Sequence, residues 1–214
     1  MKYFLDTADI EAIKKAASTG VLDGITTNPS LIVKSGRKFE DVIREIAGIV
    51  DGPISAEVTA LDTAGMLEQS RPLIAIHPNI VIKVPMTEAG IAACAALSKQ
   101  HVRVNVTLIF DVNQAMLAAH AGATFASPFC GRLDDIGQDG VKLVEEIVKA
   151  FRNYKVSTQV LAASIRSADH VRRCALAGAD VVTVPPQVFH ELFSHPLTDA
   201  GIEKFLNDWK SAVK

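Results

Sequence analysis

Eight short runs rich in β-branched residues alternate with helix-like stretches along nearly the whole chain, and no other feature restricts the fold as strongly. The runs are KYFLD (2–6), GITT (24–27), ISAEVTA (54–60), NIVIKVP (79–85), RVNVTLIF (103–110), ATFASPF (123–129), TQVLAAS (158–164) and DVVTVP (180–185). The stretches between them, from ADIEAIKKAASTG to SADHVRRCALAG, carry apolar residues at helical spacing. After GITT the rhythm breaks, and a loop, NPSLIVKSGRK, is expected before the next helix. Strands that lack a clean polar face suit a parallel sheet covered by helices. Closing eight such units on themselves gives an α/β fold, the (β/α)8 TIM barrel, small at 214 residues against ~250 for a typical one. An open doubly wound sheet usually has fewer strands and often a Gly-rich dinucleotide turn, and no G-x-G-x-x-G follows a strand here. The expectation is one barrel domain over residues 1–214 with an additional C-terminal helix at about 198–213. On that helix Ile202, Phe205, Leu206 and Trp209 form one stripe, which either closes over its own barrel as a lid or packs on a neighbouring subunit.

Composition narrows the partners. A net charge of -2 without a long basic run argues against nucleic acid and anionic membranes, leaving a small molecule or another copy of the chain. The start, MKYFLDTADI, lacks the apolar stretch of a secretory signal and no run of ~18 apolar residues occurs, so a cytoplasmic location is expected. Cys94, Cys130 and Cys174 are widely spaced, which suits reduced thiols better than a disulfide framework or a zinc cluster. The AGA turns in HAGATFASP (120–128) and LAGADVVTVP (176–185) are read as helix ends, with Gly122 and Gly178 as caps at the N-terminal rim, rather than as phosphate loops.

In a barrel strand alternate side chains point inward, and functional groups gather at the C-terminal ends. That filter selects Asp6, Thr26 to Asn28, Glu57 with Thr59, Lys83, Asn105 with Thr107, Ser127 with Phe129, and Ser164 with Arg166. Some have ordinary explanations: Asp6 as the cap of the first helix, Asn28-Pro29-Ser30 as a turn. Lys83 is harder to explain away, because an unpaired ammonium among Val81, Ile82 and Val84 would be strongly unfavourable. Glu57 is a candidate partner, and the pair could be purely structural. Alternatively, desolvation keeps part of Lys83 as the neutral amine that attacks carbonyls, with Asp6 and Glu57 moving protons. Arg132 and Arg166 above strands 6 and 7, with the Ser164 hydroxyl, point to a phosphate. His77, His101, His120, His170, His190 and His195 show no metal-ligand spacing, and no G-x-S-x-G elbow supports a serine nucleophile.

With these residues in view, the chain resembles the transaldolases, in particular the short microbial subfamily that also contains fructose-6-phosphate aldolases. The resemblance is carried by FLDTAD (4–9), GITTNPSL (24–31), SAEV (55–58), IVIKVP (80–85), NVTLIF (105–110), SPFCGRLDD (127–135) and AASIRS (162–167). It implies that Lys83 forms a Schiff base with the C2 carbonyl of a ketose phosphate, and that Asp6 takes the C4 hydroxyl proton as the C3–C4 bond breaks. Glu57 and Thr107 would hold the water that shuttles protons. Asn28, Asn105 and Ser127 would contact the bound three-carbon unit, with Thr26 and Phe129 counted among the substrate-binding residues, and Arg132, Ser164 and Arg166 would hold phosphate. The implied reaction moves a dihydroxyacetone unit from sedoheptulose 7-phosphate or fructose 6-phosphate to glyceraldehyde 3-phosphate or erythrose 4-phosphate. It belongs to the pentose phosphate pathway and needs no cofactor and no metal, and the enzyme would be a homo-oligomer, a pentamer or decamer. Rival readings are a fructose-6-phosphate aldolase and a non-catalytic sugar-phosphate binding barrel. The aldolase branch tends to carry glutamine in place of Glu57, tyrosine in place of Phe129 and lysine in place of Arg166, so these positions look like transaldolase.

Overall fold

The computed structural model describes residues 1–212, the side chains of Lys34 and Ser35 excepted. Its first half runs β1 (Lys2–Asp6), α1 (Ile10–Ala17), β2 (Gly24–Thr26), α2 (Pro29–Ser35), α3 (Phe39–Ala47), β3 (Ile54–Glu57), α4 (Thr63–Ile74), β4 (Ile80–Pro85) and α5 (Glu88–Ser98). The second half runs β5 (Val104–Ile109), α6 (Val112–His120), β6 (Phe125–Pro128), α7 (Cys130–Asp134), α8 (Gly140–Tyr154), β7 (Gln159–Ala162), α9 (Ala168–Ala177), β8 (Val181–Val184), α10 (Pro186–Glu191) and α11 (Pro196–Ala212). The strands pair in parallel in chain order and β8 closes on β1, which gives the (β/α)8 barrel with a C-terminal helix. The expected end of that helix at 213 lies outside the described residues.

Three local readings change. The passage after β2 is not a plain loop but the helix α2: Asn28 Oδ1 accepts from Leu31 N, Pro29 stands in the first helical turn, and Gly36 ends the helix at φ 65°. An asparagine cap followed by proline is a helix start, since the proline has no N–H to leave unpaired. Asp6 does not cap α1; Asp9 does, accepting from Glu11 N and Ala12 N. β3 ends at Glu57, so Thr59 lies beyond the strand, where its N–H donates to Gln69 Oε1. The turns at Gly122 and Gly178 are helix ends as expected, with φ 85° and 87°.

The period-two alternation of the strands builds two cores. One face of each strand packs outward against the helices, through residues such as Leu5, Ile25, Ile54, Ile82, Val106 and Val182. The other face fills the barrel interior with Phe4, Val81, Phe125, Leu161 and Val181. Phe4 meets Phe125 edge to face at 5.8 Å. The ring of Phe4 fits because its neighbour in register is Gly24, where a Cβ would come within 2.7 Å of it.

α11 has no buried residue, and Ile202, Phe205, Leu206 and Trp209 are all exposed, so the helix is not a lid packed on its own barrel. No helix among the described residues is long and apolar enough to cross a membrane. The three cysteines are free and buried.

Candidate active site

One residue pair beyond the apolar interior, the inward-facing positions of most strands turn polar, with Ala163 after β7 an exception, and a cavity of about 610 Å³ opens at the C-terminal end of the barrel. Twelve of the residues selected from the sequence line it, Asp6, Thr26, Asn28, Glu57, Lys83, Asn105, Thr107, Ser127, Phe129, Arg132, Ser164 and Arg166, whereas Thr27 and Thr59 do not. The strand register explains why they meet. Asp6 lies opposite Thr26, Glu57 opposite Lys83, and Lys83 opposite Asn105.

Lys83 is 6% exposed, and its ammonium is compensated from two sides. Nζ stands 2.9 Å from Glu57 Oε2 and donates to the Thr27 carbonyl at 3.1 Å. The ion pair suspected from the sequence is therefore present, though a buried pair does not by itself argue for stability, because desolving both ions offsets much of their attraction.

Asp6 sits at the end of a hydroxyl chain. Thr26 Oγ1 donates to Asp6 Oδ1 at 2.7 Å and also lies 2.7 Å from Thr183 Oγ1. With a single proton already given to Asp6, the Thr26 hydroxyl must accept from Thr183. Burial raises the Asp6 carboxyl above its ordinary range, while the Lys83 charge and the Thr26 hydrogen bond pull it partly back. A raised pKa makes this carboxylate a better base.

The opposite wall is a second network: Ser127 Oγ donates to Asn105 Oδ1 at 2.7 Å, and Asn105 Nδ2 donates to Ser55 Oγ at 3.2 Å. Both chemical ends of Asn105 are thus fixed. Thr107 Oγ1 is buried without a hydrogen-bond partner. Just past it the β5–β6 register shifts, and Leu108 takes a left-handed φ of 62° as it turns into the cavity wall.

At the outer rim, the Arg132 guanidinium lies over the Phe129 ring at 5.0 Å, and Phe129 meets Phe110 edge to face at 6.1 Å. Arg166 pairs with Asp135 at 2.8 Å. Sequence reading passed over Thr183, Ser55 and Leu108. A threonine inside the otherwise apolar DVVTVP was a signal for the first, whereas a bulge leaves no mark in the spacing. No cluster of three or more His, Cys, Asp or Glu able to hold a metal occurs among the described residues.

A closed parallel barrel with a lysine-centred polar cavity at its C-terminal mouth is the architecture of a (β/α)8 enzyme. Comparison with known proteins narrows the class: the chain belongs to the Transaldolase/Fructose-6-phosphate aldolase family, whose model matches residues 3–214. A "Probable transaldolase" of Geobacter metallireducens is 56% identical over 214 residues, covering 100% of both chains. Another, from Geotalea daltonii, is 58% identical over the same full coverage. A third, from Parvibaculum lavamentivorans, is 59% identical over 98% of this chain and 97% of its own. Among solved structures, thiamine phosphate pyrophosphorylase from Pyrococcus furiosus superposes with TM-score 0.62 over 89% of this chain and 93% of its own. At 14% identity that likeness concerns the fold alone.

Proposed function

We propose that the chain is a transaldolase in which Lys83 is the Schiff-base amine, and the observation that carries this reading is a buried lysine paired to Glu57 inside the cavity of a member of this family. The neutral amine of Lys83 adds to the C2 carbonyl of a ketose phosphate, and loss of water gives the iminium. Glu57, already 2.9 Å from Nζ, takes the ammonium proton and returns protons through a water that the unpartnered Thr107 hydroxyl also binds. Asp6 accepts the C4 hydroxyl proton, the C3–C4 bond breaks, and its electron pair flows into the iminium to leave an enamine. The aldose phosphate departs. An acceptor aldehyde then takes the enamine carbon, Asp6 protonates the new alkoxide, and water hydrolyses the imine to free Lys83.

The two fixed ends of Asn105, with Ser127, Asn28 and Thr26, orient the three-carbon unit. Arg132, Arg166 and Ser164 bind the phosphate as charge-assisted donors at the mouth. Phe129 brings no hydroxyl that could hold a second water beside the enamine, so the intermediate survives until an acceptor arrives. The donor is sedoheptulose 7-phosphate or fructose 6-phosphate, the acceptor glyceraldehyde 3-phosphate or erythrose 4-phosphate, and the setting the pentose phosphate pathway in the cytoplasm. The exposed stripe of α11 supports a homo-oligomer in which that helix packs on a neighbouring subunit.

Borohydride reduction with fructose 6-phosphate should label Lys83, and turnover should require an acceptor aldehyde. Equal turnover with and without acceptor would assign the aldolase reaction instead. Absence of any trapping, with substrate still bound, would leave a binding barrel.

A further inference from the structure

We propose that His170 is a positioning residue for the phosphate side of the cavity, acting through the backbone of Arg166. The inference rests on the reading of Arg166 and Ser164 as phosphate ligands. Arg166 N–H donates to His170 Nδ1 at 3.4 Å. A ring nitrogen accepts only when it carries no proton, so the imidazole in this bond is neutral with its N–H on Nε2. Nε2 stands 2.9 Å from Asp134 Oδ2. That oxygen is buried and has no hydrogen-bond partner, so the contact is a close electrostatic one against the ring. Asp134 is itself anchored, because its Oδ1 accepts from Gly140 N at 2.9 Å, at the start of α8. A continuous path therefore runs from α8 through Asp134 and His170 to the Arg166 backbone.

The segment between β7 and α9 needs such support. Ser164 lies in the left-handed region at φ 57°, which a non-glycine residue adopts only with strain. α7 holds the segment at one end, with Cys130 N donating to Ala163 O at 3.0 Å and Gly131 N to Ser164 O at 2.9 Å. His170 holds it at the other, two residues on. The fit is tight: a Cβ on Gly131 would meet Ser164 O at 2.3 Å and Arg166 Nε at 2.5 Å. The Arg166 guanidinium, by contrast, is paired to Asp135 with both side chains more than half exposed. A phosphate can take the guanidinium from Asp135 while the backbone beneath stays fixed by His170, whose side chain is only 14% exposed.

The test compares borohydride trapping of Lys83 as a function of fructose 6-phosphate and of dihydroxyacetone, which has no phosphate, in the full-length protein. His170→Ala should raise the half-saturating fructose 6-phosphate concentration about fivefold, the worth of one hydrogen bond. Maximal trapping and the dihydroxyacetone curve should not move. His170→Asn places an amide oxygen where Nδ1 stood and should return the fructose 6-phosphate curve to within about twofold of the parent, while His170→Gln, which fills the space but misplaces the acceptor, should not. The Asn and Gln pair decides the matter even if the alanine variant folds poorly. Equal shifts for both donors, no shift in His170→Ala, or an Asn variant as weak as Gln would overturn the proposal. Arg166→Ala separates the underlying reading: if it leaves the fructose 6-phosphate curve unchanged, the phosphate site itself is misassigned.

Discussion

Two levels of one barrel, a single pair of residues apart, differ in nearly every physical property. Along β1 the inward positions are Phe4 then Asp6, along β4 Val81 then Lys83, along β6 Phe125 then Ser127, and along β8 Val181 then Thr183. The lower level is apolar and packed around the Phe4–Phe125 contact, so burial there stabilises the fold at roughly 25 cal/mol per Å² of apolar surface. The upper level holds a lysine, two carboxylates and hydroxyls away from bulk water, and all but the Thr107 hydroxyl are tied to a partner so that they do not weaken the fold severely. Stability and chemistry are thus separated by depth along the strand, not assigned to different strands. Substitutions at the two levels should have opposite signatures.

The largest effect is expected for Lys83→Met, which keeps the aliphatic stem and removes the amine: turnover should fall by at least about 10⁴-fold, with no borohydride label. Any trapping that survives at another lysine breaks the assignment. Next, Asp6→Asn should lower kcat by about 10³-fold, the range of a lost proton-transfer group, while raising the melting temperature at neutral pH. The sign follows from the raised folded-state pKa. The stability Asp6 contributes is complete below its ordinary value of 3.8 and is lost as pH rises through the higher folded value. The gain in the variant should therefore grow across that window, and a melting temperature that falls instead would show that the Thr26 and Lys83 contacts outweigh burial.

On the lower level, Phe4→Leu should cost about 1–2 kcal/mol of stability, read by denaturant unfolding, and leave KM unchanged. Phe129→Tyr sharpens the comparison at the cavity rim: the added hydroxyl should raise release of dihydroxyacetone without acceptor by about threefold, a change of under 1 kcal/mol. A comparably small change is expected for Asp135→Asn. An exposed ion pair contributes about 0–1 kcal/mol, so freeing Arg166 should lower the fructose 6-phosphate KM by no more than about fivefold. A rise instead would make Asp135 a support of the guanidinium and not its competitor.

The barrel was legible because β-branched runs and helical spacing repeat locally, and each unit announces itself without its neighbours. The strand ends were less so. Thr59 continues the alternation of ISAEVTA, yet the β3 pairing does not reach it: the Val58 N–H still donates to Lys83 O, whereas those of Thr59 and Ala60 go to Gln69 Oε1. Asn28-Pro29 satisfies both a turn and a helix start, and the left-handed Gly36 that closes α2 settles which one forms. Asp6 was a plausible cap for α1 on paper. The choice fell to Asp9 because Asp6 already ends an inward-facing strand position.

The sequence by itself determined the eight-unit repeat, the level at which polar residues interrupt the apolar strands, and the presence of a lysine that required compensation. Those are properties of spacing, and spacing is local. The tertiary structure alone decided that Glu57 and the Thr27 carbonyl are the partners of Lys83, that Thr183 feeds the Thr26–Asp6 chain, and that His170 reaches Arg166. Each of these contacts depends on the register with which the barrel closes and on the path of a loop, and neither quantity is written in any single segment of the chain.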